Sequence, residues 1–192
     1  MTPAIFLDRD GTIIEEVGYL STTEQLTIFE WSVEALGRLR QAGFKLVIVT
    51  NQAGVARGFF DEARVAEVNA FLCARLAEAG IRIDAVYYCP HHPDGTVPAY
   101  RTPCGCRKPQ PGMVDRACED LGIDVARSFV VGDRWSDVEL ARAVGAEAVL
   151  VKSGYGRHAL AAPKPGVDAD AVVDTLLDAA HWILERRVRA SS

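Results

Sequence analysis

The chain reads as an α/β protein, a Rossmann-like parallel sheet sandwiched by helices. Three observations predict this. Short β-branched runs alternate with segments of helical spacing along the chain. Several of the runs are apolar almost throughout, as parallel strands covered on both faces are. Glycines stand where the helices should stop. Such alternation implies a parallel sheet with right-handed crossovers.

The elements follow in order. Strands are expected at residues 4–8, 45–50, 85–89, 128–133 and 147–152, and helices at 32–41, 62–79, 112–121 and 136–144. Gly43, Gly80, Gly122 and Gly145 mark the helix ends. Two stretches break the rhythm. Six prolines between Pro90 and Pro111 make that segment an ordered irregular loop. Residues 154–168, rich in Gly, Pro and Ala, read as a link to a final helix over about 174–187. There is no internal repeat. Neither break is long enough for a separate domain, so residues 1–192 are expected to form one domain without a large cap.

With 49% apolar residues a substantial core can form. No apolar run approaches the roughly 20 residues that span a bilayer, and no basic segment leads into an apolar one at the N-terminus. A cytoplasmic location away from membranes is expected. The net charge is −5 and basic residues are dispersed, without the stripe of a nucleic-acid binder. Five cysteines, an odd number without a secretion signal, argue against a disulfide framework. Cys73 and Cys118 fall on helical patterns and read as core residues. With no exposed apolar stripe, a monomer is expected.

Chemistry concentrates at the predicted strand ends, where open α/β sheets bind ligands. The first strand delivers Asp8 and Asp10. Two acids this close repel unless a cation or shared proton intervenes, and a hard ion such as Mg²⁺ suits oxygen ligands. The second strand ends in Thr50-Asn51-Gln52 and the fourth in Gly132-Asp133-Arg134, with Asp137 one turn later. Lys108 closes the Pro-rich loop. Singly, each has an ordinary role: a surface acid pair, a helix N-cap at Thr50, a turn at Gly132-Asp133, a solvated lysine. Together, acids for a metal with a hydroxyl and an ammonium for an anion make a phosphoryl-transfer site.

These residues resemble the four motifs of the haloacid dehalogenase superfamily of aspartate-nucleophile phosphatases. Asp8-Arg9-Asp10-Gly11-Thr12 matches the first, Thr50 the second, Lys108 the third, and Gly132-Asp133 to Asp137 the fourth. The resemblance implies that Asp8 attacks phosphorus and that Asp10 serves as acid and then base. It implies Mg²⁺ on Asp8, the Asp10 backbone carbonyl and Asp133, with Thr50 and Lys108 holding the phosphoryl group. Asp137 would orient Lys108 or a metal-bound water, with Arg134 in support beside Asp133.

Cys89-Pro90-His91 and Cys104-Gly105-Cys106 flank the Pro-rich loop. A closed Cys₃His set suits tetrahedral structural Zn²⁺, and His92 is a rival ligand. A zinc clip over about 89–108 would order the loop and fix Arg107 and Lys108. Such loops resemble the histidinol-phosphatase-like branch of the superfamily. Residues 50–58, 89–93 and 107–113 are closer to its heptose 1,7-bisphosphate phosphatases.

That resemblance implies a sugar bisphosphate substrate losing its C7 phosphate, on the route to nucleotide-activated heptose. The anomer is left open, and with it lipopolysaccharide or surface glycoprotein as the destination. Arg107 is the candidate for the second phosphate, with Arg57 a weaker one. Glu16 and Tyr19 match a substrate-contacting turn, and Asn51 and Gln52 extend the same surface. Two departures, Ala53 for a common Ser and Arg134 for a frequent Lys, bear on substrate contacts alone. The alternatives are a histidinol-phosphate phosphatase and, in a different class, a catalytically silent zinc-stabilised binding module.

Overall fold

Along the first strand, Ile5 and Leu7 turn to one side while Ala4 and Phe6 turn to the other, the period-two alternation of a strand. All four are fully buried, so this strand needs a helical layer on each side. The computed structural model describes residues 1–190. Its strands are β1 (Ala4–Leu7), β2 (Lys45–Asn51), β3 (Ala85–Cys89), β4 (Phe129–Gly132), β5 (Glu147–Val151) and β6 (Ala171–Val173). They form one six-stranded sheet in the order β3-β2-β1-β4-β5-β6, parallel throughout. Ile5 is in register with Leu46 on one side and Phe129 on the other.

The helices are α1 (Ser32–Gln41), α2 (Ala53–Ala56), α3 (Glu62–Glu78), α4 (Gly112–Leu121), α5 (Trp135–Val144), α6 (Gly156–Ala161) and α7 (Leu176–Ala190). Leu36 and Leu39 of α1, Leu72 and Leu76 of α3 and Ile183 of α7 pack on the side of Ile5. Met113 and Val114 of α4 and Val138 and Leu140 of α5 pack on the side of Phe6. Gly122 and Gly145 take left-handed φ of 62° and 76°. Their N–H groups return to the carbonyls of Cys118 and Ala141, closing α4 and α5.

The five expected strands and the four expected helices, α1, α3, α4 and α5, lie within a residue or so of their predicted bounds, and the four-residue α2 is an addition to them. The end of the chain differs. The expected link contains α6, and β6 follows it as a sixth strand; α7 begins at Leu176 and runs to Ala190. Helix α6 buries only Gly156 and Ala159, which leave no apolar stripe in the sequence. Strand β6 is three residues at the sheet edge with none fully buried, too short to show a period.

From β1 the chain builds β2 and β3 on one side, then crosses to β4 on the other. Strand order therefore reverses at β1, and a crevice opens beyond its carboxyl end.

Candidate active site

Asp8 follows β1, Thr50 and Asn51 close β2, and Asp133 follows β4, so the three central strands end at one crevice. It holds a cavity of about 440 Å³ lined by Asp8, Asp10, Thr50, Lys108, Arg107 and Arg134 among others. Glu16, Tyr19, Asn51, Gln52, Arg57 and His92 also line it. Asp133 and Asp137 lie beneath it, 0% and 2% exposed.

Lys108 reaches the crevice from a point 100 residues beyond Asp8. Its Nζ donates to Asp8 Oδ1 at 2.7 Å and to the Val49 carbonyl at 2.8 Å, and it pairs with Asp137 Oδ1 at 2.6 Å. Burial favours the neutral amine, but the Asp137 and Asp8 carboxylates together outweigh it and hold its pKa above the usual lysine range. The backbone of Lys108 is fixed as well. Asn51 Oδ1 accepts from its N–H at 3.0 Å and Asn51 Nδ2 donates to its carbonyl at 3.2 Å. Asn51, expected to touch substrate, thus has both polar atoms committed to Lys108.

Asp8, Asp133 and Asp137 each place an oxygen within 4.8 Å of the others. Burial, then repulsion from Asp8 and Asp137, pushes the Asp133 carboxyl up to about 8. Asp133 Oδ2 accepts from the Tyr155 N–H at 2.7 Å, while its Oδ1 is buried without a hydrogen-bond partner. Gly11 and Gly154 press against the same carboxylate, and a Cβ on either would overlap Oδ2. An orphaned carboxylate oxygen facing other acids fits a hard divalent cation. Asp137 is committed to Lys108, which leaves Asp8 and Asp133 as the side chains open to the ion.

Asp10 is set apart from that cluster. Gln52 Nε2 donates to its Oδ2 at 3.0 Å and to Thr50 Oγ1 at 2.9 Å. Arg9 pairs with it at 2.9 Å. Across the cavity Glu16 Oε1 accepts from the Gly18 N–H at 2.6 Å, and Arg134 lies 3.6 Å from Oε2. Burial raises the Glu16 pKa against that backbone bond, and the nearby Asp10 and Asp8 add to the rise. Arg134 also stacks over the Tyr155 ring at 3.9 Å. At the mouth, Tyr19 meets Phe59 with centroids 4.5 Å apart and Arg57 lies over the Tyr19 ring.

The loop cysteines assemble as a second group with His91. Cys89 Sγ lies 2.8 Å from Cys106 Sγ and 3.5 Å from Cys104 Sγ, and His91 Nδ1 lies 3.4 Å from Cys106 Sγ. Burial pushes the Cys89 thiol up, and the adjacent thiols add to the rise. Soft donors gathered around one point suit a tetrahedral ion such as zinc, which would hold the thiols ionised. His92 stays outside this group. Its Nδ1 accepts from the Asp94 N–H at 3.1 Å and its side chain faces the cavity.

The motif positions were all legible, but three contributors were not. Arg9 lies between the motif acids and is 1% exposed; Asn69 interrupts the apolar stripe Val65–Val68–Leu72–Leu76 of α3. That interruption was the available signal. Ser153, whose Oγ donates to the Gly11 carbonyl at 2.7 Å, falls between the last expected strand and the expected link, where no pattern marks it.

Known proteins match this arrangement. The family model described as HAD-hydrolase-like matches residues 105–179. The D-glycero-β-D-manno-heptose-1,7-bisphosphate 7-phosphatase of Photorhabdus laumondii is 44% identical over 154 residues, covering 79% of this chain and 81% of that protein. The protein of the same name from Escherichia coli K12 is 42% identical over 178 residues, covering 92% and 91%. The D,D-heptose 1,7-bisphosphate phosphatase of B. bronchiseptica, solved with magnesium and phosphate, superposes with a TM-score of 0.83 at 33% identity, covering 96% and 99%. The chain belongs to the heptose-bisphosphate phosphatase family of the HAD-like hydrolases.

Proposed function

We propose that this protein removes the C7 phosphate of D-glycero-β-D-manno-heptose 1,7-bisphosphate through an aspartyl-phosphate on Asp8. The observation that carries the reading is the division of tasks among the crevice carboxylates. Asp8 pairs with Lys108, Asp133 has an oxygen without a hydrogen-bond partner and only Arg134 Nε at 3.9 Å, and Asp10 is held apart by its own donors. The β-heptose bisphosphate comes from the names of the relatives.

In the first step Asp8 attacks phosphorus and the bond to the C7 oxygen breaks. Asp10 gives that oxygen its proton, so the sugar leaves as a neutral alcohol. In the second step Asp10 takes a proton from water, which attacks phosphorus and breaks the bond to Asp8. Lys108 and the Thr50 hydroxyl face the phosphoryl oxygens, where charge develops. Mg²⁺ would be held by Asp8, Asp133 and the Asp10 backbone carbonyl, and when bound it supplies positive charge to the transferring group. Arg107, with Arg57 beside the mouth, takes the anomeric phosphate, and Glu16 and Tyr19 take the sugar. Zn²⁺ would be held by Cys89, His91, Cys104 and Cys106 and would order the loop that carries Arg107 and Lys108.

Every group in this scheme comes from one chain, so a monomer suffices. Zinc thiolates persist in a reducing compartment, which supports a cytoplasmic setting; no helix among the described residues is long and apolar enough to cross a membrane. The test is phosphate release from the β and α anomers of the heptose bisphosphate and from histidinol phosphate. The β anomer is expected to give the highest kcat/KM, with loss at C7. A clear preference for histidinol phosphate would overturn the assignment.

A further inference from the structure

Arg9 has no task in the chemistry above, yet it is a buried charge with fully directed hydrogen bonds. Its Nε donates to Asp10 Oδ2 and its Nη2 to Asp10 Oδ1, both at 3.1 Å, and Nη2 also lies 2.9 Å from Oδ2. Its Nη1 donates to Asn69 Oδ1 at 2.7 Å. Asn69 comes from the core-facing side of α3 and is 7% exposed. A buried amide at such a position is costly unless its polar atoms are engaged, and here its oxygen meets the guanidinium.

We infer that Arg9, anchored by Asn69, is a positioning residue that fixes the Asp10 carboxyl for proton transfer. A planar guanidinium bonded to both oxygens of a carboxylate sets the plane of that carboxylate as well as its place. The third bond, to Asn69, stops the fork from turning about its own stem. Asp10 Oδ2 also accepts from Gln52 Nε2, which fills both acceptor sites of that oxygen. Oδ1 has one such contact, from Arg9, and is left as the oxygen that exchanges a proton with substrate. Asp10 lines the cavity, so that oxygen has a route to it. A carboxyl acts as general acid only within hydrogen-bond reach of the leaving oxygen, and the clamp supplies that reach.

This inference rests on the proposed acid/base role of Asp10, so the test measures that role separately. The reference variant is Asp10→Asn and the test variant is Asn69→Leu, which removes the acceptor for Nη1 without touching the motif. Each is assayed with Mg²⁺ as kcat/KM for two esters. One is p-nitrophenyl phosphate, whose leaving group departs without a proton; the other is a sugar phosphorylated at its terminal carbon, whose leaving group needs one. General acids contribute about 10²–10⁴-fold, and a misaimed one is expected to lose about a quarter to a half of that on a logarithmic scale. Asn69→Leu should therefore lose about tenfold or more on the sugar phosphate and less than about threefold on the aryl ester. Asn69→Asp keeps an acceptor at the same place and should recover most of the loss.

Equal losses on the two esters in Asn69→Leu, beside a selective loss in Asp10→Asn, would mark Asn69 as a packing residue and overturn the clamp alone. An unselective Asp10→Asn would overturn the acid role and the clamp with it. Should Asn69→Leu not fold, Asn69→Gln moves the acceptor by one methylene within the same chemistry, and it must show the same selectivity for the clamp to stand.

Discussion

The Asp133 carboxylate is confined between Gly11 and Gly154, whose φ values are +81° and +53°. A side chain at either place meets the carboxylate and also a left-handed backbone that costs about 1–2 kcal/mol for an L-residue. Gly154→Ala is expected to push on Asp133 Oδ2 and so displace the whole carboxylate, including the Oδ1 proposed for the ion. Changes of this kind behind a metal ligand typically cost about 10–100-fold in affinity. The Mg²⁺ concentration for half-maximal turnover should rise by about that factor; an unchanged value would contradict the assignment of Asp133. Asp8→Asn has a simpler expectation. Phosphate release should fall to background while circular dichroism stays that of the parent, because the amide keeps the shape but is a poor nucleophile. At this scale Asp8, Asp10, Thr50, Lys108, Asp133 and Asp137 were legible because a strand end announces what it presents. Arg9 and Asn69 were hidden because 60 residues separate partners that meet only in the core.

At the scale of elements, the Pro-rich loop behaves as a clamp with several footholds. The Val97 N–H donates to the Ala56 carbonyl of α2 at 2.9 Å, and Gly95 is packed against Ala56 too closely for a Cβ. Tyr100 in the loop and Tyr88 on β3 each donate to the Glu62 carboxylate at 2.7 Å. The loop's last residues enter the site through the paired bonds between Asn51 and Lys108. Loss of the proposed metal clip should therefore reach the chemistry, not only the loop. Cys104→Ser is expected to lose its zinc by metal analysis and to drop kcat/KM by about tenfold or more, the range seen when a positioned phosphoryl donor is misplaced. Full turnover without zinc would detach the loop from the site. Mild chelation that strips Mg²⁺ should be reversed by Mg²⁺ alone, whereas removal of zinc should require both ions. The gathering of Cys89, His91, Cys104 and Cys106 could be read from Cys and His spacing, since those residue types have few other reasons to cluster. Helix α6 and strand β6 could not, because six and three residues give no period and β6 owes its place to pairing with β5.

At the scale of the whole molecule, one sheet separates two apolar layers, and β1 contributes to both through alternate side chains. Neither layer has a sheet of its own, so neither can persist once β1 and β4 are lost. The tryptophans fall on opposite sides. Trp31 and Trp182 pack with the layer of Ile5, where Trp182 meets Phe129 edge-on at 6.2 Å. Trp135 packs with the layer of Phe6, and its Nε1 donates to the Ala159 carbonyl at 2.8 Å. Trp135→Phe therefore leaves reporters on one side, and the double variant Trp31→Phe/Trp182→Phe leaves one on the other. With Mg²⁺ and Zn²⁺ saturating, fluorescence melts of the two proteins should each coincide with their own far-ultraviolet dichroism, as a single cooperative domain requires. Leu36→Ala then sharpens the comparison. Leu36 is fully buried under α1 in the layer of Ile5, and its truncation should cost about 2–5 kcal/mol. In one cooperative domain Trp135, on the far side of the sheet, reports that same loss. A Trp135 transition that ignores Leu36→Ala would mean that the two layers unfold as separate units joined by a common sheet.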